Sequence, residues 1–192
     1  MQQTATSHVI AASGKGHAIE REDFNAVARL YWPRIFRFAL ASVRDRDAAE
    51  NVAQDCFLKA YRGWPSFRGD SSVQTWLMQI AINLIRDHMR NQRLRFWHRT
   101  QRSAAEMGDA SDWIPDGHLT PEASALVKER VEAVWSATGS LTERQRTVFL
   151  LRFVEDMDLL EIAAATGMRE GTVKVHLSRA VHAVRERIGS AK

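Results

Sequence analysis

The sequence predicts an all-α protein made of two small helical domains joined by a flexible acidic linker. Three observations carry that expectation. Apolar residues recur at helical spacing over two long stretches, and no segment alternates like a strand. Between the stretches, residues 103–121 hold four acids (Glu106, Asp109, Asp112, Asp116), no Lys or Arg, and the breakers Gly108, Pro115, Gly117 and Pro121. The 192 residues suffice for one ordinary domain or two small ones. The divisions expected are a disordered tail over 1–21, a first domain over 22–96, a linker over 97–121 and a second domain over 122–192.

In the first domain, Phe24, Val27, Leu30 and Tyr31 begin a helix that Pro33 is expected to kink or restart. Ile35, Phe36, Phe38, Ala39 and Leu40 carry it on to Val43, and "RDRD" ends it. A further helix runs from Ala48 to about Trp64, with Val52, Cys56, Phe57 and Ala60 on one side. "PSFRGD" reads as a loop, and Ser71 or Ser72 caps the next helix. That helix holds Trp76, Leu77, Ile80, Ala81, Leu84 and Met89 in phase and fades near Phe96. Asn83 interrupts its apolar run, where an amide needs a partner or a task.

In the second domain, Leu126, Val127, Val131, Val134 and Trp135 are in phase, and Thr142 is placed to cap the helix after them. "LLEIAAATGMREGTVKVHL" then has the form of a helix-turn-helix. Ala163 lets two backbones approach, Gly167 ends the first helix in a left-handed conformation, and Met168 plugs the core behind the turn. Phased at 100° per residue, Val173, Leu177, Ala180, Val184 and Ile188 face inward on the second helix. Val175, Ser178, Arg179 and His182 face outward, flanked by Lys174 and Arg185.

Charge points the same way. The whole chain carries +4, and residues 168–192 alone hold six Lys/Arg against two acids. A second basic group comprises Arg86, Arg90, Arg93, Arg95, Arg99 and Arg102, opposed by Asp87. An outward face of Arg, Lys and Ser suits a major groove, where cations meet phosphates and a few side chains read base edges. Bilayer-spanning runs and an export signal are both missing from the sequence, so a cytoplasmic protein without membrane insertion is expected. Cys56 is the only cysteine, which excludes an intramolecular disulfide and reads as apolar filling. The scattered His residues have no metal-ligand spacing, and the acids Glu155, Asp156, Asp158 and Glu161 are read as favouring a helix start. The sequence therefore suggests no enzyme, cofactor, metal or small-molecule substrate.

Together, "DAAENVAQDCFLKAYRGWPSFRGDSSVQTWLMQIAINLIRDHMRNQRL" resembles the second domain of bacterial RNA polymerase sigma factors. "LTERQRTVFLLRFVEDMDLLEIAAATGMREGTVKVHLSRAVHAVRE" resembles their fourth. With a short linker in place of the third domain, the chain is similar to the extracytoplasmic-function group over about residues 22–188. The resemblance implies core RNA polymerase and promoter DNA as partners, with an anti-sigma factor as regulator. It implies core docking by Glu50, Gln54 and Asp55. Minus-ten contacts would come from Phe67, Arg68, Asp70, Ser71, Asn83, Arg86, Arg90 and Arg93. Minus-thirty-five contacts would come from Arg169, Thr172, Lys174, Val175, His176, Ser178, Arg179 and His182. Trp76 could stack on a base, but its phase with Ile80 and Leu84 favours the core. Arg169 replaces the family's usual cap before Glu-Gly, and Val175 and His176 stand where polar or basic residues are more usual. A helix-turn-helix regulator that works without polymerase is the alternative, and it leaves the Arg-rich helix after "FRGDSS" unexplained.

Overall fold

The computed structural model describes residues 21–98 and 134–189, with side chains for 24–92 and 134–189. The expected tail over 1–21 and linker over 97–121 lie outside the described residues except for Arg21, Trp97 and His98, which are helical, and the start of the second domain lies outside them too.

Helix α1 spans Arg21–Val43. It runs unbroken through Pro33 where a restart was expected. Pro33 is exposed, so the carbonyl it leaves unpaired one turn back lies on the side open to water. Ile35, Phe38 and Ala39 are fully buried on the other side. Arg44 then takes a left-handed backbone (φ 59°), and the Asp45 side chain accepts the Ala48 amide at 2.8 Å. This cap starts α2, Arg46–Gly63, two residues before the expected Ala48.

Along α2, pairs alternate between inside and outside. Ala48, Ala49, Val52, Ala53, Cys56, Phe57 and Ala60 are buried; Glu50, Asn51, Gln54, Asp55, Leu58 and Lys59 are exposed. The small inward residues let α1 and α2 pack closely. Cys56 is fully buried, with Sγ 3.5 Å from the Leu77 carbonyl. Burial pushes its thiol up to about 12, with Lys59 pulling weakly the other way. A 3-10 turn at Trp64–Ser66 leads into the 67–72 loop.

Helix α3 spans Val73–His98, two residues past the expected limit at 96. Ser72 is the capping serine: its hydroxyl accepts the Thr75 amide at 3.1 Å. The buried stripe is Leu77, Met78, Ala81, Ile82 and Ile85, with Ile80, Leu84 and Met89 half-buried at its edges.

The second region resumes with helical residues 134–138. Thr142 and Gln145 form a capping box that starts α4, Glu143–Phe153. Asp158 and Glu161 form another that starts α5, Leu159–Thr166. Gly167 closes α5 at φ 70°, as its place in the sequence requires. Helix α6 follows, Glu170–Gly189. Val173, Ala180 and Val184 are buried on α6, with Leu177 and Ile188 half-buried beside them. We expect Asp158→Ala to cost about 1 kcal/mol by removing one half of the α5 box, read as a lower urea midpoint at unchanged slope.

The two regions are packed against each other. Val148, Leu150, Leu151, Met157, Ile162, Ala165 and Val173 belong to the same buried cluster as Ile35, Phe38, Leu77 and Met78. The contact runs between α1 and α4 and between α3 and α5. A separate small cluster of Ala137, Leu141, Phe149, Ala180 and Val184 holds the second region's own helices together. No strand occurs among the described residues.

Candidate nucleic-acid interface

The α6 face stands clear of the core. Thr172, Lys174, Val175, Ser178, Arg179 and His182 are exposed, as is Arg169 just before the helix. Val175 keeps 47% of its surface. A shallow trough of about 390 Å³ runs beside this face, lined by Lys174, Leu177, Ser178, Val181, His182 and Arg185. His176 differs from the rest: it is half-buried, and its Nδ1 is sealed without a hydrogen bond among the described residues. Two acids sit beside this face, Glu170 paired with Lys174 at 2.6 Å and Glu186 Oε1 lying 3.3 Å from His182 Nε2. Such exposed pairs contribute under about 1 kcal/mol, so a phosphate can displace the acid.

Arg169 has no capping side chain, but its carbonyl accepts the Thr172 and Val173 amides at 2.9 and 3.1 Å. The start of α6 is thus ordered by backbone alone, and the Arg169 side chain stays exposed.

In the first region, Arg68 and Asp70 are exposed around Gly69, whose φ is 77°. Ser71 is half-buried. Phe67 anchors the loop: its ring stacks on Trp64 (centroids 5.7 Å, 9°) and lies 4.9 Å from Trp76. Trp76 is half-buried in that aromatic group, which supports the core role expected of it. Asn83 points outward. It is exposed, and its Oδ1 accepts from Arg86 at 3.4 Å. No buried amide therefore needs satisfying on α3. Arg86 and Arg90 are exposed one turn apart, with Arg90 bonded to Asp87 at 3.0 Å. Arg93 lies on α3, but its side chain is outside the described set. On α2, Glu50, Gln54 and Asp55 share the exposed side, next to an apolar pair, Leu58 (48% exposed) and Tyr61 (41%).

The acid group before α5 departs from the sequence reading. Asp158 and Glu161 do cap the helix, but Glu155 is 1% exposed and faces the first region. Its carbonyl accepts from Gln74 Nε2 at 2.9 Å, and its carboxylate lies 3.6 Å from Arg34 Nε. Burial pushes the Glu155 carboxyl up to about 7, against the pull of Arg34 and Arg37. Local sequence gave no sign of this, because an acid ahead of a helix start has an ordinary explanation there.

No group of His, Cys, Asp or Glu among the described residues has the geometry of a metal site, and no helix among them is long and apolar enough to cross a membrane.

Two family models match the chain: Sigma-70 region 2 over residues 27–95 and Sigma-70, region 4 over residues 132–183. The RNA polymerase sigma-H factor of Pseudomonas aeruginosa is 32% identical over 170 residues, covering 86% of each chain. The ECF RNA polymerase sigma-E factor of Escherichia coli is 30% identical over 173 residues, covering 88% of each. A sigma factor RpoE from Bartonella quintana, solved in complex with the anti-sigma factor NepR, superposes with a TM-score of 0.69 at 24% identity, covering 89% of this chain and 99% of that one. The chain belongs to the sigma-70 family of RNA polymerase sigma factors, in its extracytoplasmic-function group.

Proposed function

We propose that the chain binds core RNA polymerase, directs it to a particular set of promoters, and is restrained by an anti-sigma factor. The observation that carries this reading is the pairing of two helices with exposed basic residues, α3 and α6, in the order of family regions 2 and 4. We assign residues 22–96 to polymerase docking and the minus-ten element, and residues 122–192 to the minus-thirty-five element. Residues 97–121 connect the two.

Glu50, Gln54 and Asp55 offer an acidic, amide-bearing strip suited to a basic coiled coil. Arg68, Asp70, Ser71 and Asn83 supply polar groups for an extruded base above the Phe67 platform. Arg86, Arg90 and Arg93 continue along α3 toward phosphates. Lys174, Ser178, Arg179 and His182 meet phosphates and base edges in a major groove, and Val175 meets a thymine methyl. Arg169 and Thr172 lie at the helix start, where phosphate contacts concentrate. His176, half-buried, is the weakest member of that set. The reading assigns the chain no catalytic step of its own and places it in the cytoplasm, with the polymerase.

Reconstitution with core polymerase on a promoter library tests it. Discrete run-off transcripts that need this chain are the expected result. Tight binding to a palindrome without polymerase, and no transcripts with it, would replace it with an independent regulator.

A further inference from the structure

The first turn of α6 holds two residues to which the promoter-recognition reading gives no task. Glu170 is the only acid between Arg169 and Arg185. It stands at the edge of a face otherwise rich in cations and small polar groups, where a phosphate backbone repels it. The helix dipole accounts for an acid at a helix start, but not for what this one engages. Glu170 Oε1 lies 2.6 Å from Lys174 Nζ, one turn on, and the two side chains keep 40% and 59% of their surface.

Gly171 is the second. It is exposed inside α6, and its backbone is not left-handed. Glycine within a helix weakens it relative to alanine. Nothing among the described residues asks for it, since a Cβ at 171 would meet no atom within 4 Å. It comes two residues before the buried Val173, and so lies about 160° around the helix from it, in the middle of the outward face.

We propose, on the promoter-recognition reading, that Glu170 and Lys174 read one C·G base pair of the minus-thirty-five element as a unit. Glu170 accepts from cytosine N4, Lys174 donates to guanine, and Gly171 lets the first turn of α6 sink to the depth of the base edges.

The donors in a major groove are the amino groups of cytosine (N4) and adenine (N6), so an acid there has those partners alone. Glu170 and Lys174 present an acceptor and a donor 2.6 Å apart. A base pair presents the complement, because its amino group and the facing carbonyl oxygen are bonded to each other at about 2.9 Å. C·G and A·T differ in what flanks that bond. Cytosine has no acceptor beside its amino group, and guanine N7 next to O6 gives Lys174 a second acceptor. In A·T the adenine N7 lone pair faces the carboxylate, and the thymine methyl stands beside O4 in the path of the ammonium. C·G is therefore preferred, with cytosine on the Glu170 side. Lys174 has three donors and serves guanine while still holding the carboxylate. Against any other sequence Glu170 meets acceptors or phosphate and opposes binding, so the pair discriminates by repulsion as well as attraction. Recognition helices bring their N-terminal residues to base edges, and the bare Gly171 removes a Cβ that would hold this turn off the groove floor.

Transcription by core polymerase and the full-length chain, from a library randomised across the minus-thirty-five region, tests the pair. The wild type is expected to select cytosine at one position of one strand. Glu170→Gln keeps the side-chain shape and replaces the carboxylate with an amide, which suits adenine N6 and N7. Selection at that position shifts from cytosine to adenine, and affinity of the polymerase complex for the wild-type promoter falls about tenfold. Glu186→Gln, which removes the acid beside His182, raises affinity for all sequences alike and leaves selection unchanged. Gly171→Ala lowers promoter affinity about tenfold while its melting temperature holds or rises. A wild type that selects no C·G pair, a Glu170→Gln variant with wild-type selection, a Glu186→Gln variant that shifts selection in the same way, or a Gly171→Ala variant with undiminished promoter affinity would each overturn the proposal. All four leave chain-dependent transcripts in place, so they fall on the base-pair assignment alone. A chain that yields no transcripts with core polymerase would instead sink the promoter-recognition reading.

Discussion

Lys174→Ala combined with Arg179→Ala is expected to weaken binding of the polymerase complex to its promoter by about a hundredfold. Each side chain stands exposed on α6 with nothing in the core to support, so folding is unaffected. Each lost contact to a phosphate or base edge costs roughly 1–3 kcal/mol. Two of them, at the lower half of that range, give about a hundredfold. Lys174 leaves its partner Glu170 alone on the surface, and an unpaired acid there repels the duplex further. The slope of log affinity against log salt should fall by about two, one for each cation removed. Filter binding or fluorescence anisotropy at several salt concentrations measures both. Unchanged promoter selectivity would remove α6 from the interface.

Asp55→Arg is expected to weaken core polymerase binding by about 1.5–3 kcal/mol, roughly ten- to a hundredfold. The substitution reverses charge in the middle of an exposed strip and touches none of the buried α2 residues. The full-length chain should keep its melting temperature and its polymerase-independent affinity for duplex DNA. Core affinity measured in competition with the unsubstituted chain decides the matter, and equality between the two would place the docking face elsewhere. Leu58 and Tyr61, exposed on the same helix, are the residues to examine next in that event.

Much of the local structure was legible because local rules produce it. Thr142 and Gly167 occupy the cap positions that their chemistry suits, and Val173, Ala180 and Val184 face inward as 100° phasing requires. Asn83 was misleading in a specific way. Flanked by Ile82 and Leu84, it reads as interior, but the buried stripe of α3 runs through Met78, Ile82 and Ile85 and leaves position 83 facing outward toward Arg86. Pro33 misled for the opposite reason: a rule about hydrogen bonding was applied without knowing that the affected side is wet. The docking of the two regions was not legible at all. It depends on residues up to 104 positions apart, such as Arg146 and Ser42, and no periodicity or motif encodes which surfaces of two separately plausible bundles will meet. Glu155 illustrates the cost: its neighbours in sequence explain it as a helix-start acid, and only its neighbours in space make it an interdomain residue.

Cys56 has a consequence for how this factor receives information. Its sulfur is closed in by α2 and α3, and proton loss from it is suppressed, so peroxides and electrophiles have no thiolate to attack in the folded protein. Thiol oxidation therefore has no handle on the folded chain at Cys56, and a thiol-based redox signal has to be sensed by another molecule and delivered to it through binding.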